Sequence, residues 1–189
     1  LKFSESKSQK NNSFDDKSKK IFKSRKIWCA ASTHNTEEKI CALAHKKLKN
    51  KYNNLVTIII PRHIQRTDYI INEIKDLNLK VQTRSTSNKI SKNTDIYLVD
   101  AYGETKSFYK ICKTVFLGGS LINHGGQNPL EPARFGCKIL HGPYVQNFTE
   151  VYNLLEKNNL SSKFNNIDQL INLINQSFIK KTNFNNKIN

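Results

Sequence analysis

The run FLGGSLINHGGQNPLEPA, Phe116 to Ala133, has the residue types and spacing of a loop that holds a ligand. An apolar stretch ends in Gly118-Gly119, a polar loop follows with a second pair at Gly125-Gly126, and Asn128-Pro129 opens a helical start. Glycine gives such a loop positive φ and close approach to a ligand, and Pro129 suits the first turn of a helix. The chemistry this predicts is anion binding. Free amides from Gly118 to Ser120, with the helix start at Pro129, would face phosphate oxygens, while Glu131, one turn in, would accept hydrogen bonds from the hydroxyls of a ribose. An ordinary strand-loop-helix connection with convenient glycines uses the same residues.

Other polar groups follow apolar runs in the same way. Arg62 offers a permanent, fork-shaped cation, and Thr33, His34 and His63 stand in loops after the first two such runs. Each has a plainer role open to it: Arg62 as a surface charge, the histidines as partners of nearby carbonyls, Asn128 as a helix cap. The chain has no GKS/T phosphate loop, no early GxGxxG, no HExxH and no GxSxG. Glu131, Asp100, Glu104 and the histidines are the candidates for a general base. Cys29, Cys41, Cys112 and Cys137 are widely separated, without metal-ligand spacing, and read as buried reduced thiols. No metal and no cofactor is expected, and the residues read as built to hold a nucleotide, not to complete a reaction.

A regular alternation of elements must position these groups. Ile27 to Ala31 reads as a strand, followed by Ser32-Thr33-His34-Asn35 and a helix with Thr36 as N-cap and Glu37 and Glu38 in its first turn. Val56 to Ile60 is a branched apolar run ended by Pro61, as for a strand buried on both faces of a parallel sheet. Further strands are predicted at Val81 to Thr83, Ile96 to Val99, Val115 to Leu117 and Lys138 to Leu140. Helices are predicted after Arg62-His63 and over Gly103 to Cys112, Pro129 to Phe135, Phe148 to Lys157 and Ile167 to Ile179. This is the pattern of an α/β, Rossmann-like parallel sheet flanked by helices. Ligands of such sheets bind at the carboxyl ends of the strands, so the loops at Ser32, Pro61, Asp100 to Glu104, Gly118 to Asn128 and His141 to Pro143 should share one rim.

The 189 residues suit one domain, expected over 26–180, with a polar linker or flexible arm at 1–25 and a frayed tail at 181–189. The chain contains no methionine, which points to a piece of a longer protein. No run approaches the ~20 apolar residues of a membrane span, so the piece itself is expected to be soluble. The formal net charge of +16 is concentrated toward the ends. Residues 1–26 carry nine Lys and Arg against three acids, and residues 151–189 carry five against two. The Lys, Asn and Ile bias also fits A+T-rich coding. Without a basic-aromatic patch, specific nucleic-acid binding is not expected, and an anionic membrane surface is the better electrostatic partner.

Five motifs, AASTHNTEE (Ala30 to Glu38), IIIPRH (Ile58 to His63), DAYGE (Asp100 to Glu104), the Phe116 to Ala133 run and HGPYVQNF (His141 to Phe148), stand in the order found in the 3-deoxy-D-manno-octulosonic acid (Kdo) transferases. Over about residues 27–160 the chain resembles the C-terminal, donor-binding half of these two-domain GT-B glycosyltransferases. Leu1-Lys2-Phe3 resembles the family's interdomain junction. The resemblance implies transfer of Kdo from CMP-Kdo to a lipid A precursor, with inversion, at the cytoplasmic face of the inner membrane and without a metal. It implies that Arg62, Gly118, Gly119, Ser120, Asn128 and Glu131 hold CMP, that Thr33, His34, His63, Gly125 and Gly126 line the crevice, and that the catalytic base belongs to an N-terminal domain. A GT-B domain for a UDP-sugar and a basic, non-catalytic module for lipid or nucleic acid are the alternative readings. The Lys/Asn-rich arm and the segment after Asn158 depart from the family pattern.

Overall fold

The structure, a computed structural model, describes residues 14–87 and 89–179. The predicted tail at 181–189 and most of the predicted arm lie outside these residues. The elements in chain order are α1 (Asp16–Ser24), β1 (Lys26–Thr33), α2 (Glu37–Lys49), β2 (Leu55–Pro61), α3 (Thr67–Ile74), β3 (Val81–Thr83) and β4 (Ile96–Leu98). They continue with α4 (Thr105–Ile111), β5 (Thr114–Leu117), α5 (Leu130–Arg134), β6 (Lys138–His141), α6 (Thr149–Lys157), β7 (Ser161–Lys163) and α7 (Ile167–Ile179). All strand pairs are parallel, in the order β3-β4-β2-β1-β5-β6-β7. On one side of β1 the chain lays down β2, then the edge strand β3, then β4 between them, and it returns to build the other side outward from β5. The seam between β1 and β5 is therefore the topological switch point, where a doubly wound sheet opens a crevice.

Burial on both faces explains the apolar strands. Along β1, Cys29 and Ala31 join the core beneath α1, α4, α5 and α6, while Trp28 and Ala30 join the core beneath α2, α3 and α7. All seven residues of β2 are buried. Alternate residues of each central strand thus supply opposite cores, which a sequence of continuous branched apolar residues satisfies. All four cysteines are free and buried.

Two elements differ from the sequence reading. The arm expected through residue 25 instead forms α1, capped by Asp15, whose side chain accepts the Ser18 N–H at 3.0 Å. Ile21 and Phe22 are buried with Phe14, whose ring lies 5.0 Å from that of Phe108. Three apolar residues among many lysines are enough to seat about two and a half helical turns, and they are easily read as linker. The second difference is β7, whose polar Ser161-Ser162-Lys163 carries no strand signal; it pairs with β6 through Ile139, Leu140 and His141 as an edge strand.

Candidate functional site

The loops after β4, β2, β1, β5 and β6 come together at the carboxyl ends of the strands, as their positions in sequence predict. At the centre lies a residue that the sequence reading treated only as a first-turn acid, Glu37. Its carboxylate is fully buried. Oε2 accepts the N–H groups of His34 and Gly119, each at 2.8 Å, and Oε1 accepts those of Ser120 at 3.1 Å and Leu121 at 3.0 Å. Burial pushes this carboxyl up from its ordinary range, and the amides of Leu121, Gly119, His34 and Ser120 pull the other way. All four partners are donors, which only the ionised form can accept in full. Glu37 is an anion built into the protein, and it ties the start of α2 across the switch point to the glycine loop.

This corrects the expected anion hole. The Gly118 N–H donates to Ala31 O at 2.9 Å, continuing the β1–β5 pairing, and the Gly119 and Ser120 amides belong to Glu37. None of the three is free for a phosphate. Thr36 does not cap α2: it lies at φ 74 with no side-chain cap bond, and it turns the chain so that Glu37 points inward. The loop is stitched at further points. Ser120 Oγ donates to Leu117 O at 2.6 Å and accepts from Gly142 N at 2.9 Å, Gly126 N donates to Gly119 O at 2.9 Å, and Tyr152 Oη donates to Gln127 O at 3.0 Å. Gly125 and Gly126 are buried against Asn147 and Val145, so they brace the loop from within.

The side chains left to meet a ligand surround this fixed floor. Arg62 is exposed, its N–H donating to Thr33 O at 2.9 Å, and among the described residues its guanidinium has no partner. Behind it, Arg66 grips the buried Glu38 through two bonds of 2.8 and 3.2 Å, which fixes the loop between β2 and α3 against α2. Thr33 Oγ1 and His34 Nε2 are buried without a hydrogen-bond partner. His34 Nδ1 lies 3.0 Å from Ser32 O, and because a carbonyl can only accept, Nδ1 carries the proton. Burial, with His124 alongside, lowers the His34 pKa to about 4, so Nε2 is a bare acceptor at neutral pH. His124 lies against His34 with ring centroids 4.3 Å apart and the rings tilted by 41°, and His63 meets it edge-on at 6.2 Å. His124 was missed in the sequence, where it reads as one more polar loop residue.

Asn128 and Glu131 stand at the far wall, both exposed. Asn128 Oδ1 accepts the Leu130 N–H at 3.0 Å, the capping role open to it from sequence, and Glu131 pairs with Lys106 of α4 at 3.4 Å. The arrangement is a polar crevice with one unpaired guanidinium, two orphaned buried polar atoms and a carboxylate at reach from α5. It suits a ligand with an anionic group and several hydroxyls.

The comparisons with known proteins agree with this geometry. No family model matches the chain. The 3-deoxy-D-manno-octulosonic acid transferase of Haemophilus influenzae is 40% identical over 131 residues, which are 69% of this chain and 31% of that protein. The transferase of the same name from Aquifex aeolicus is 32% identical over 142 residues, 75% of this chain and 39% of that protein. The crystal structure of the C-terminal CMP-Kdo binding domain of WaaA from Acinetobacter baumannii superposes with a TM-score of 0.81 at 29% identity, covering 86% of this chain and 85% of that one. This chain belongs to the Kdo transferase family. It spans about a third of the length of the curated relatives it matches. Its sheet and helices are those of the C-terminal domain of a GT-B Kdo transferase.

The buried imidazoles of this Kdo transferase domain predict acid sensitivity. His45, a fully buried residue of α2, bonds Thr57 Oγ1 at 2.8 Å and faces Asp95 at 3.7 Å, with Lys49 and Arg25 nearby. Burial lowers it from 6.5 to about 4, as it does His34. Both are neutral in the native state at pH 7. Between about pH 6.5 and 4 the unfolded chain takes up protons that the native state refuses, so stability falls as pH drops through that window and is fully present above it. His45 alone should cost on the order of 2 kcal/mol at pH 5. Thermal unfolding at pH 7.5 and pH 5 checks this, and His45→Gln should reduce the difference between the two; equal Tm values at both pH values would refute it.

Proposed function

We propose that this chain is the donor-binding half of a Kdo transferase, holding CMP-Kdo in the crevice over β1 and β5. The reading is supported above all by the likeness to the CMP-Kdo binding domain of WaaA, which covers 86% of this chain. Arg62 takes the phosphate, the one strong anion of CMP. His34 Nε2 and Thr33 Oγ1 meet hydroxyl groups, His63 closes the wall beside them, and Asn128 and Glu131 receive the ribose once Glu131 leaves Lys106. Gly118, Gly119 and Ser120 shape the floor, with Glu37 holding their backbone. In the whole enzyme the Kdo unit passes, with inversion and with a base from the N-terminal half, to a lipid A precursor at the cytoplasmic face of the inner membrane, where an anionic surface meets this cationic chain. These residues alone bind donor and do not transfer it.

Calorimetric titration with CMP tests the reading. Wild-type protein should bind CMP more tightly than UDP, and Arg62→Ala should weaken CMP by about 10- to 100-fold, the worth of a charged hydrogen bond, while binding of cytidine changes little. A folded wild-type chain that ignores CMP would sink the proposal; tighter binding of UDP would move it to a UDP-sugar.

A further inference from the structure

A group of cations lies at the pole opposite the crevice. Beneath the amino ends of the strands a groove of about 820 Å³ is lined by Lys17 and Lys20 of α1, Arg25, Asn54 before β2 and Lys92 before β4. A second groove, of about 350 Å³, adjoins it through Arg25 and adds Lys23, Lys26 and Lys113. No Asp or Glu lines either groove. Among the described residues Lys17, Lys20, Lys23, Lys92 and Lys113 form no ion pair, and their side chains are exposed. Arg25 anchors the group: its guanidinium donates to the carbonyls of Asn54 and Leu55, leaving one buried terminal nitrogen without a partner.

We propose that this pole is a docking surface for the anionic phosphates of a lipid bilayer. The cations are spread over two adjoining open grooves and do not converge on one point, which matches a planar array of headgroups better than a single bound ion. Single-stranded nucleic acid would call for exposed rings to stack its bases. Of the aromatic residues lining the grooves, Phe22 is buried against Phe14 at 5.1 Å, and Phe178 is partly buried, engaged edge-on by Tyr52 at 5.3 Å and by the Lys26 ammonium at 5.1 Å. Ile21 and Phe22 of α1 face the core, so attachment is electrostatic and reversible and does not insert apolar side chains. The crevice at the other end of the strands stays open. This inference deepens the membrane part of the proposed function by locating its surface on this domain, and donor binding remains a separate readout.

Co-sedimentation of the full chain with vesicles of phosphatidylcholine containing about a third phosphatidylglycerol tests it, since each lysine near such a surface contributes about 1 kcal/mol. The chain should bind these vesicles, ignore pure phosphatidylcholine, and dissociate steeply with added salt. The double variant Lys20→Glu, Lys92→Glu should lose at least about tenfold in vesicle affinity, with Tm and CMP binding unchanged. The equal-charge variant Lys39→Glu, Lys163→Glu, away from the pole, should lose far less. Equal losses in the two variants, unaltered binding by the first, displacement by inorganic phosphate at matched phosphate concentration, or tighter binding of a short single-stranded oligonucleotide at the same salt would each overturn the proposal. Vesicle binding without CMP binding would defeat the donor reading and leave this one standing.

Discussion

Glu37→Ala should unfold at a much lower temperature than the wild-type protein and lose CMP binding, although no ligand atom is expected to touch Glu37. The substitution removes the shared acceptor of four buried N–H groups, those of His34, Gly119, Ser120 and Leu121. An unsatisfied buried donor costs about 1–3 kcal/mol. Water entering the vacated space recovers part of that, which leaves about 3–5 kcal/mol, a large share of a domain's stability. The loss of donor binding follows from geometry: the same four bonds hold the β1 loop carrying Thr33 and His34 against the β5 loop, so the walls of the crevice lose their fixed separation. Denaturant unfolding measures the first effect and calorimetry with CMP the second. Formate supplies the readout particular to this anchor. A small carboxylate can occupy the emptied nest of amides, so formate should raise the Tm of Glu37→Ala more than that of wild type. A variant as stable as wild type, or one indifferent to formate, would show that the carboxylate is not what joins the two loops.

The case of Glu37 also shows what the sequence could and could not disclose. The alternation of apolar runs with amphipathic stretches made the parallel sheet legible, because strands such as β2 are buried on both faces and so consist of continuous branched residues. The rim was legible for the same reason: once the strands are placed, the loops that follow them must share one end of the sheet. The wiring of the rim was not. A first-turn acid ordinarily interacts with its own helix terminus, and nothing in Thr-Glu-Glu states that Thr36 adopts φ 74 and turns Glu37 inward. That turn is decided by partners more than eighty positions away, the amides of Gly119, Ser120 and Leu121. The glycine loop looked like a phosphate cradle because its amides were assumed free, and the protein supplies its own anion to them. Helix α1 and strand β7 were hidden for a different reason. Each is short and polar, and each is held by tertiary contacts to Phe108 or β6, where local propensity says little.

Replacing Gly118 by alanine should be more damaging than replacing Gly119, although it is Gly119 that has the positive φ of 66. A Cβ on Gly118 would lie 2.5 Å from Ser32 O, 2.6 Å from Thr33 Cα and 2.7 Å from Glu37 Oε2. Two of these atoms are backbone of β1, and the third is pinned by the amides around it, so none can rotate away. Relief requires parting β1 from β5 at their carboxyl ends, which breaks the Gly118 N–H bond to Ala31 O and disturbs the Glu37 nest together. The cost should exceed that of ordinary overpacking and reach about 3 kcal/mol or more. At Gly119 the nearest atoms to an added Cβ are His124 Cδ2 at 3.0 Å and His34 Cε1 at 3.2 Å, rings that can shift by a few tenths of an ångström. What remains there is left-handed backbone strain of about 1–2 kcal/mol. Urea unfolding of the two variants gives the ranking directly, and a Gly119→Ala protein less stable than Gly118→Ala would contradict it. The two should also part in function. Gly118→Ala moves Thr33 and His34 relative to Arg62 and should weaken CMP by at least about tenfold, as displacement of positioned polar groups does. Gly119→Ala perturbs mainly the His34–His124 ring contact and should retain most of its affinity.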